Sequence, residues 1–124
     1  MKILVTGCAG FIGFHLCEKL LIDKKNQVVG IDNLNSYYDI GLKKDRLEIL
    51  KKNKKNFLFK KIDLQNETKL ISLFQKFKFD TVINLAAQAG VRYSIENPKS
   101  YIDSILIGFS NILEVSRKND ISHL

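Results

Sequence analysis

The chain has 124 residues, of which 45% are hydrophobic and 27% charged, and its formal net charge is +7. This length suits one domain with one core, and the composition is ordinary for a soluble protein. No apolar run approaches the ~20 residues of a membrane span, and the first residues form a predicted strand rather than a secretory signal. These observations predict a protein without a membrane partner.

The cysteine and charge patterns narrow the class of protein further. Cys8 and Cys17 have neither the spacing of a disulfide framework nor that of a metal site, so we expect reduced thiols, a cytoplasmic location and no metal. Between Lys43 and Lys61 nine basic residues accompany two acids. This cluster fits a nucleic-acid surface or a solvated surface. Because only three of the twenty basic residues are arginine, the better phosphate ligand, we favour the solvated surface and no nucleic-acid partner.

The first predicted strand, from Lys2 to Thr6, leads into a glycine-rich turn and a helix. The run Ile3-Leu4-Val5 is apolar without alternation, as in a strand buried on both faces of a parallel sheet. The turn has the spacing G-x-x-G-x-x-G, at Gly7, Gly10 and Gly13. These glycines permit a tight turn, a close approach to a pyrophosphate and close helix packing, respectively. A helix is predicted from Phe11 to about Asp23, with one apolar, inward face made of Ile12, Leu16, Cys17, Leu20 and Leu21. Its N-terminus would offer free N–H groups to a diphosphate.

An acidic residue follows the second predicted strand, as a dinucleotide site requires. The strand Gln27–Ile31 is followed by Asp32, nineteen residues after Gly13. A carboxylate at this point accepts hydrogen bonds from the adenine-ribose hydroxyls and repels a 2′-phosphate. The pattern therefore predicts NAD rather than NADP as the cofactor.

The middle of the chain continues the alternation of strands and helices. The polar loop with Asn33 and Asn35 would cover the adenosine edge, and a weak helix follows from Ile40 to about Lys52, with Leu47 and Leu50 inward. A third strand is predicted over 57–62 and a helix over 67–78. Asp63, after the third strand, either accepts from the adenine amino group or starts the next turn.

The last part of the chain holds the fourth strand and a long helix. The strand, predicted over 81–85, runs into the small-residue turn 86–90, which would face the nicotinamide ribose beyond the strand end. Arg92 then either binds an anionic substrate or pairs with a structural acid. Asn97 and Pro98 predict the start of a helix that runs to about residue 119. One face of this helix is predicted to be buried, and it consists of Ile102, Ile105, Leu106, Phe109, Ile112 and Leu113.

The final residues, 121–124, are typical of an opening fifth strand. Repeated βαβ units predict an α/β fold with a doubly wound parallel sheet of the Rossmann type, truncated at the start of that strand.

Three stretches of this sequence resemble the extended short-chain dehydrogenase/reductase family, and in particular its NAD-dependent nucleotide-sugar epimerases. They are VTGCAGFIG at 5–13, DNLNSYYD at 32–39 and LAAQAGVRYS at 85–94. The last of them is the most specific for the UDP-glucuronate 4-epimerase group. The resemblance covers nearly the whole chain, residues 1–124, which is then an incomplete NAD-binding domain without the family's C-terminal substrate domain.

The resemblance implies a cofactor, a reaction and a set of contacts. NAD takes a hydride from C4 of a UDP-sugar and returns it to the other face, and full-length members would form homodimers. A nucleotide-sugar 4,6-dehydratase shares the same first half, and a non-catalytic dinucleotide-binding module is a further alternative. Arg92 would contact the substrate. The implied cofactor-binding residues are Gly7, Gly10, Phe11, Ile12, Gly13, Asp32, Asn33, Asn35, Asp63, Leu64, Leu85, Ala86, Ala87 and Gln88.

The family's catalytic pair, a tyrosine with a lysine four residues later, has no match here. The four tyrosines are followed at that spacing by Gly41, Leu42, Asn97 and Ile105. In the family an asparagine usually stands at the position of Ile105. We therefore expect no catalytic residue within this chain and no turnover by it alone.

Overall fold

A computed structural model describes residues 1–53 and 55–124 of the chain. Four strands form one parallel sheet: β1 (Lys2–Thr6), β2 (Gln27–Asp32), β3 (Phe57–Lys61) and β4 (Thr81–Asn84). Their order in the sheet is β3-β2-β1-β4. The chain thus builds outward from β1 to β3 and then crosses to the other side of β1.

Helices cover both faces of the sheet, as the βαβ pattern predicts. On one face pack α1 (Phe11–Leu20) and α2 (Ile40–Lys51), and on the other pack α3 (Glu67–Phe77) and α6 (Gly108–Lys118). Between β4 and α6 lie α4 (Tyr93–Glu96), α5 (Pro98–Tyr101) and a π-helical segment, Ile102–Ile107. Among the described residues, no helix combines the length and the apolar character that crossing a bilayer requires.

The core has two layers because successive strand residues point to opposite faces of the sheet. Ile3 and Val5 pack toward α1 and α2, while Leu4 packs toward α3 and α6. The predicted inward residues of α2, Leu47 and Leu50, are buried, and so is Phe74 of α3. The unalternating apolar run of β1 is explained by this two-sided burial.

The start of a fifth strand is visible beside β4. His123 forms a parallel bridge with Thr81, and its carbonyl oxygen accepts a hydrogen bond of 2.9 Å from Val82 N. The sheet is therefore doubly wound with a switch point between β1 and β4, and the fold is of the predicted Rossmann type.

The prediction of one long helix with a buried apolar face is wrong in two respects. Asn97 does cap the helix start, accepting from Ser100 N at 3.3 Å, but the helix is interrupted by the π-helical segment. Of the six residues predicted to be inward, only Ile112 is buried, and Leu106 is 64% exposed. The reason is that α6 meets the core along a narrow face with Gly108, Ile112 and Val115, and the other five predicted side chains lie off that face.

Two smaller predictions about α1 also need correction. The helix ends at Leu20 instead of continuing to Asp23. Ile12, expected on its inward face, is 66% exposed, whereas Phe14 is buried. The first turn of α1 extends beyond the sheet edge, so Ile12 faces the space above the strand ends instead of the core.

Candidate functional site

A cavity of about 330 Å³ opens at the carboxyl edge of the sheet, next to the switch point. It lies between the glycine loop, the loop after β2, the end of β3 and the loop after β4. The structure brings all fourteen residues of the predicted cofactor site to its walls: Gly7, Gly10, Phe11, Ile12, Gly13, Asp32, Asn33, Asn35, Asp63, Leu64, Leu85, Ala86, Ala87 and Gln88. Residues distant in sequence thus form one continuous lining.

The glycine loop is so tightly folded that side chains would not fit at two of its positions. Gly7 has φ of +67°, and a Cβ there would lie 2.9 Å from the backbone nitrogen of Ala86. A Cβ on Gly13 would lie 2.9 Å from the carbonyl carbon of Gly7. The loop closes with a hydrogen bond of 3.0 Å from Gly10 N to Gly7 O. The absence of side chains lets the loop, the β4 end and α1 converge on the cavity floor.

The N-terminus of α1 faces this cavity and suits an anion. Gly10 precedes the helix and provides no side-chain cap, and the first turn holds no acidic residue. The first N–H groups of a helix have no partner within it, and they carry the positive end of the helix dipole. Phe11 and Ile12, on the cavity wall, therefore bring backbone donors to its interior.

Asp32 ends β2 and is 7% exposed. Its Oδ2 accepts from Ala9 N at 3.2 Å, and its Oδ1 accepts from Leu34 N at 2.8 Å. These bonds tie the carboxylate to the glycine loop on one side and to the following loop on the other. Asp32 is thus held rigidly beside the loop at which a diphosphate would bind.

Lys43 of α2 is a site residue that the sequence reasoning missed. It is buried, and its Nζ lies 3.6 Å from Asp32 Oδ1 and donates to Asn35 Oδ1 at 3.2 Å. The spacing of Lys43 with Leu47 and Leu50 on the inward face of α2 was the signal that could have found it. The ion pair stabilises the carboxylate and fixes the loop that carries Asn35.

Asp63 takes part in local structure at the end of β3. Its Oδ1 accepts from Gln65 N at 3.0 Å, and its Oδ2 accepts from Asn33 Nδ2 at 3.0 Å. Of the two alternatives for Asp63, the turn role is therefore present in the structure. A contact with adenine stays a prediction.

The loop after β4 is fixed by two hydroxyl groups. Thr6 Oγ1 donates to Asn84 Oδ1 at 2.6 Å and accepts from the backbone of Leu85 and Ala86, both at 3.0 Å. Gln88 N donates to Ser104 Oγ at 2.8 Å. The small-residue turn is thus held against both β1 and the π-helical segment.

Seven further residues line the cavity, and one predicted residue does not. Those outside the fourteen implied cofactor-binding residues are Ile31, Tyr37, Tyr38, Lys43, Ile62, Ala89 and Ser104, and of these Ala89 belongs to the turn predicted to face the nicotinamide ribose. Ser104 reaches the cavity only through the irregular helix, for which the sequence carries no clear signal. Arg92 is exposed just before α4 and is not part of the lining, so its substrate role stays a prediction.

Cys8 lies within the glycine loop but does not face the cavity. It is fully buried and packs against β2, where a Cβ on Gly30 would lie 2.9 Å from its own Cβ. Burial raises the pKa of this thiol far above its ordinary value, and burial also raises the pKa of Cys17 to about 12. Neither thiol is a nucleophile at neutral pH. Within residues 1–53 and 55–124, no cluster of potential metal ligands occurs.

A parallel sheet with a glycine-lined cavity at its switch point and an acid after the second strand defines a dinucleotide-binding fold of the Rossmann type. Residues 4–123 match the family model described as GDP-mannose 4,6 dehydratase. The chain therefore belongs to this family.

Curated relatives resemble the chain along its whole length. Protein CapI of Staphylococcus aureus is 53% identical over 124 residues, which are 100% of this chain and 36% of the relative. The UDP-glucuronate 4-epimerase of Thermodesulfobacterium geofontis (strain OPF15) is 47% identical over 121 residues, 98% of this chain and 37% of the relative. The chain thus spans little more than a third of the length of these relatives.

A solved structure agrees in fold and in sequence. The UDP-glucuronic acid 4-epimerase of Bacillus cereus, crystallised with UDP-glucuronic acid and NAD, superimposes with a TM-score of 0.88. Its sequence is 38% identical, and the match covers 99% of this chain and 38% of that one.

Proposed function

We propose that this chain is the NAD-binding part of a nucleotide-sugar 4-epimerase that acts on a UDP-sugar such as UDP-glucuronate. The observation that supports the proposal is the cavity at the switch point, in which the glycine loop, an open helix N-terminus and Asp32 converge. The relatives named UDP-glucuronate 4-epimerase, at 42–47% identity, favour an epimerase over a 4,6-dehydratase.

The chemistry of the cavity walls fits NAD. Gly7, Gly10 and Gly13 leave room for a pyrophosphate against the backbone, and the N–H groups at the start of α1 would neutralise part of its charge. Asp32, paired with Lys43, would accept from the ribose hydroxyls at the adenosine end. The turn after β4, with Ala86 to Gln88, would lie along the nicotinamide end.

In this proposal, the chain's own residues position and enclose the cofactor and transfer no proton. NAD, when bound, supplies a hydride acceptor for C4 of the sugar. Thr6 and Ser104 hold the turn after β4 in place, which would orient the nicotinamide ring toward the side where a sugar enters. The proton transfer that accompanies hydride transfer needs residues other than those predicted here.

Calorimetric titration with NAD tests the proposal, with Ile12→Glu and Ile22→Glu as matched variants. Both isoleucines are exposed, by 66% and 67%, but only Ile12 lines the cavity. A carboxylate in the first turn of α1 is favourable for the helix but repels a diphosphate. We expect Ile12→Glu to weaken NAD binding at least ~10-fold, a cost of about 1.4 kcal/mol, and Ile22→Glu to leave it unchanged.

Two outcomes would contradict the proposal. One is the absence of binding heat from the folded protein at millimolar NAD. The other is equal loss of affinity in both variants, which would place the binding site elsewhere. NADP should bind more weakly than NAD, because its 2′-phosphate would approach the Asp32 carboxylate.

A further inference from the structure

All four tyrosines of the chain form one cluster at the mouth of the cavity. The rings of Tyr37 and Tyr38 have centroids 4.8 Å apart, those of Tyr37 and Tyr93 4.9 Å, and those of Tyr93 and Tyr101 6.4 Å. The four residues come from the β2–α2 loop (residues 33–39), from α4 and from α5. The tyrosine cluster therefore joins the β2–α2 loop, whose Tyr37 and Tyr38 line the cavity, to α4 and α5.

Gly90 is the point at which the β4–α4 loop (residues 85–92) meets the cluster. Its φ is +94°, and a Cβ at this position would lie 2.8 Å from Cζ of Tyr37. The phenol of Tyr37 thus rests directly on the backbone of Gly90. A side chain at this position would displace the phenol ring of Tyr37 from the β4–α4 loop.

Tyr101 fixes the same loop from the helical side. Its hydroxyl donates to the carbonyl oxygen of Ala89 at 2.8 Å and also contacts the carbonyl oxygen of Gly90. Desolvation, with the neighbouring phenols, raises the pKa of Tyr101, so the hydroxyl stays protonated and remains a donor. The carbonyl groups of Ala89 and Gly90 are held to α5 by this one side chain.

The contact between the two loops can open without loss of secondary structure. In the described residues, no hydrogen bond runs directly from the β2–α2 loop to the β4–α4 loop. They meet where the Tyr37 ring contacts Gly90. Tyr37, Tyr38 and Ala89 all belong to the cavity lining, so separation of the loops would widen its mouth.

We propose that Tyr37, Gly90 and Tyr101 form a latch that holds the β4–α4 loop against the β2–α2 loop and retains the dinucleotide in the cavity. This inference rests on the proposed NAD-binding function. Tyr37 and Tyr101 are positioning residues in it, because they act through the backbone at Ala89 and Gly90. The latch opens for entry and release of the cofactor and closes across the middle of the bound molecule.

Two variants open the latch in different ways, and a third serves as the control. Tyr101→Phe removes the anchoring hydroxyl and keeps the ring, while Gly90→Ala forces Tyr37 away from the loop. Val91→Ala is the control, since Val91 is 87% exposed and lies in the same loop outside the cavity lining. Thermal unfolding of each variant shows that the fold is intact.

The first measurement needs no cofactor. Amide hydrogen exchange of residues 86–91 should accelerate at least ~10-fold in Tyr101→Phe and Gly90→Ala, without change in β1 and β2. Because the chain has four tyrosines and no tryptophan, its intrinsic fluorescence comes mainly from the cluster and should also change in Gly90→Ala, which keeps all four tyrosines. Val91→Ala should match the unmodified protein in both readouts.

The second measurement is the NAD dissociation rate, followed by tyrosine fluorescence after dilution. It should rise at least ~3-fold in the two latch variants and not in Val91→Ala. Unchanged exchange in both latch variants would overturn the latch itself. Faster exchange with an unchanged dissociation rate would overturn its role in retention. Failure of the unmodified protein to bind NAD in calorimetry would overturn the proposed function, and this inference with it, whatever the exchange data show.

Discussion

At the scale of single residues, the site depends on a few positions whose side chains are either absent or paired. Gly7 and Gly13 admit no Cβ, whereas Asp32 and Lys43 form an ion pair in which both side chains are more than nine-tenths buried. Burial of an ion pair brings little net stability, but removal of one partner leaves the other charge without compensation. The pair therefore couples the stability of the fold to the geometry of the site.

We predict that Asp32→Ala lowers the free energy of unfolding by about 3 kcal/mol, because Lys43 then stays buried without its counter-charge. The double variant Asp32→Ala/Lys43→Met should lose at most about half of that amount, since methionine fills the space without a charge. Urea denaturation of Asp32→Ala, Lys43→Met and the double variant measures this coupling. Additivity within ~0.5 kcal/mol would show that the two side chains do not interact.

At the scale of secondary-structure elements, the helix ends differ in how well the local sequence suits their geometry. Asn66 caps α3 by accepting from Lys69 N at 3.0 Å, and Asp39 caps α2 by accepting from Gly41 N at 2.7 Å. The end of α3 is less favourable, because Lys78 has φ of +49° in the left-handed region. Glycine is the usual residue at such a helix end, since it has no Cβ to be strained.

Replacement of Lys78 by glycine should therefore stabilise the protein by about 0.5–1 kcal/mol. The matched control is Lys76→Gly, two residues earlier in α3 with ordinary helical geometry, which should destabilise by about 1 kcal/mol. Thermal or urea unfolding measures both effects. Destabilisation by Lys78→Gly would mean that the lysine side chain contributes more than its backbone strain costs.

At the scale of the whole molecule, the two core layers differ in their chemistry. Cys8 and Cys17 lie in the layer under α1 and α2, and both are fully buried. Their thiols are shielded from solvent until this layer opens. On the side of the opposite layer, the π-helical segment and α6 expose an apolar surface that includes Ile105, Leu106 and Phe109.

We predict that neither cysteine reacts with an alkylating reagent in the folded protein at about pH 8, and that both react after unfolding. Burial raises the pKa of Cys17 from 9.0 to about 12 and that of Cys8 further, so the folded state keeps both thiols protonated. Their contribution to stability is thus complete below pH 9; that of Cys17 is lost as the pH rises from 9 through about 12, and that of Cys8 is lost at higher pH. Mass spectrometry of alkylated protein at increasing urea concentration tests this. Rapid modification of either thiol without urea would contradict it.

The sequence alone determined the order of strands and helices, the glycine loop and the acid after β2. These features depend on local rules, since the apolar period, a helix cap and a turn glycine are each decided within a few neighbouring residues. The fourteen predicted cofactor residues come together because parallel strands bring their carboxyl ends to one edge.

The tertiary structure alone decided which further residues meet at the carboxyl edge of the sheet. Lys43 meets Asp32, Ser104 meets Gln88, and the tyrosine cluster meets Gly90 across separations in sequence that no local pattern encodes. The same holds for five of the six apolar side chains that the helical period predicts to be inward between residues 102 and 113, which are exposed. Periodicity specifies which side of a helix is apolar, but burial depends on whether another element packs against that side.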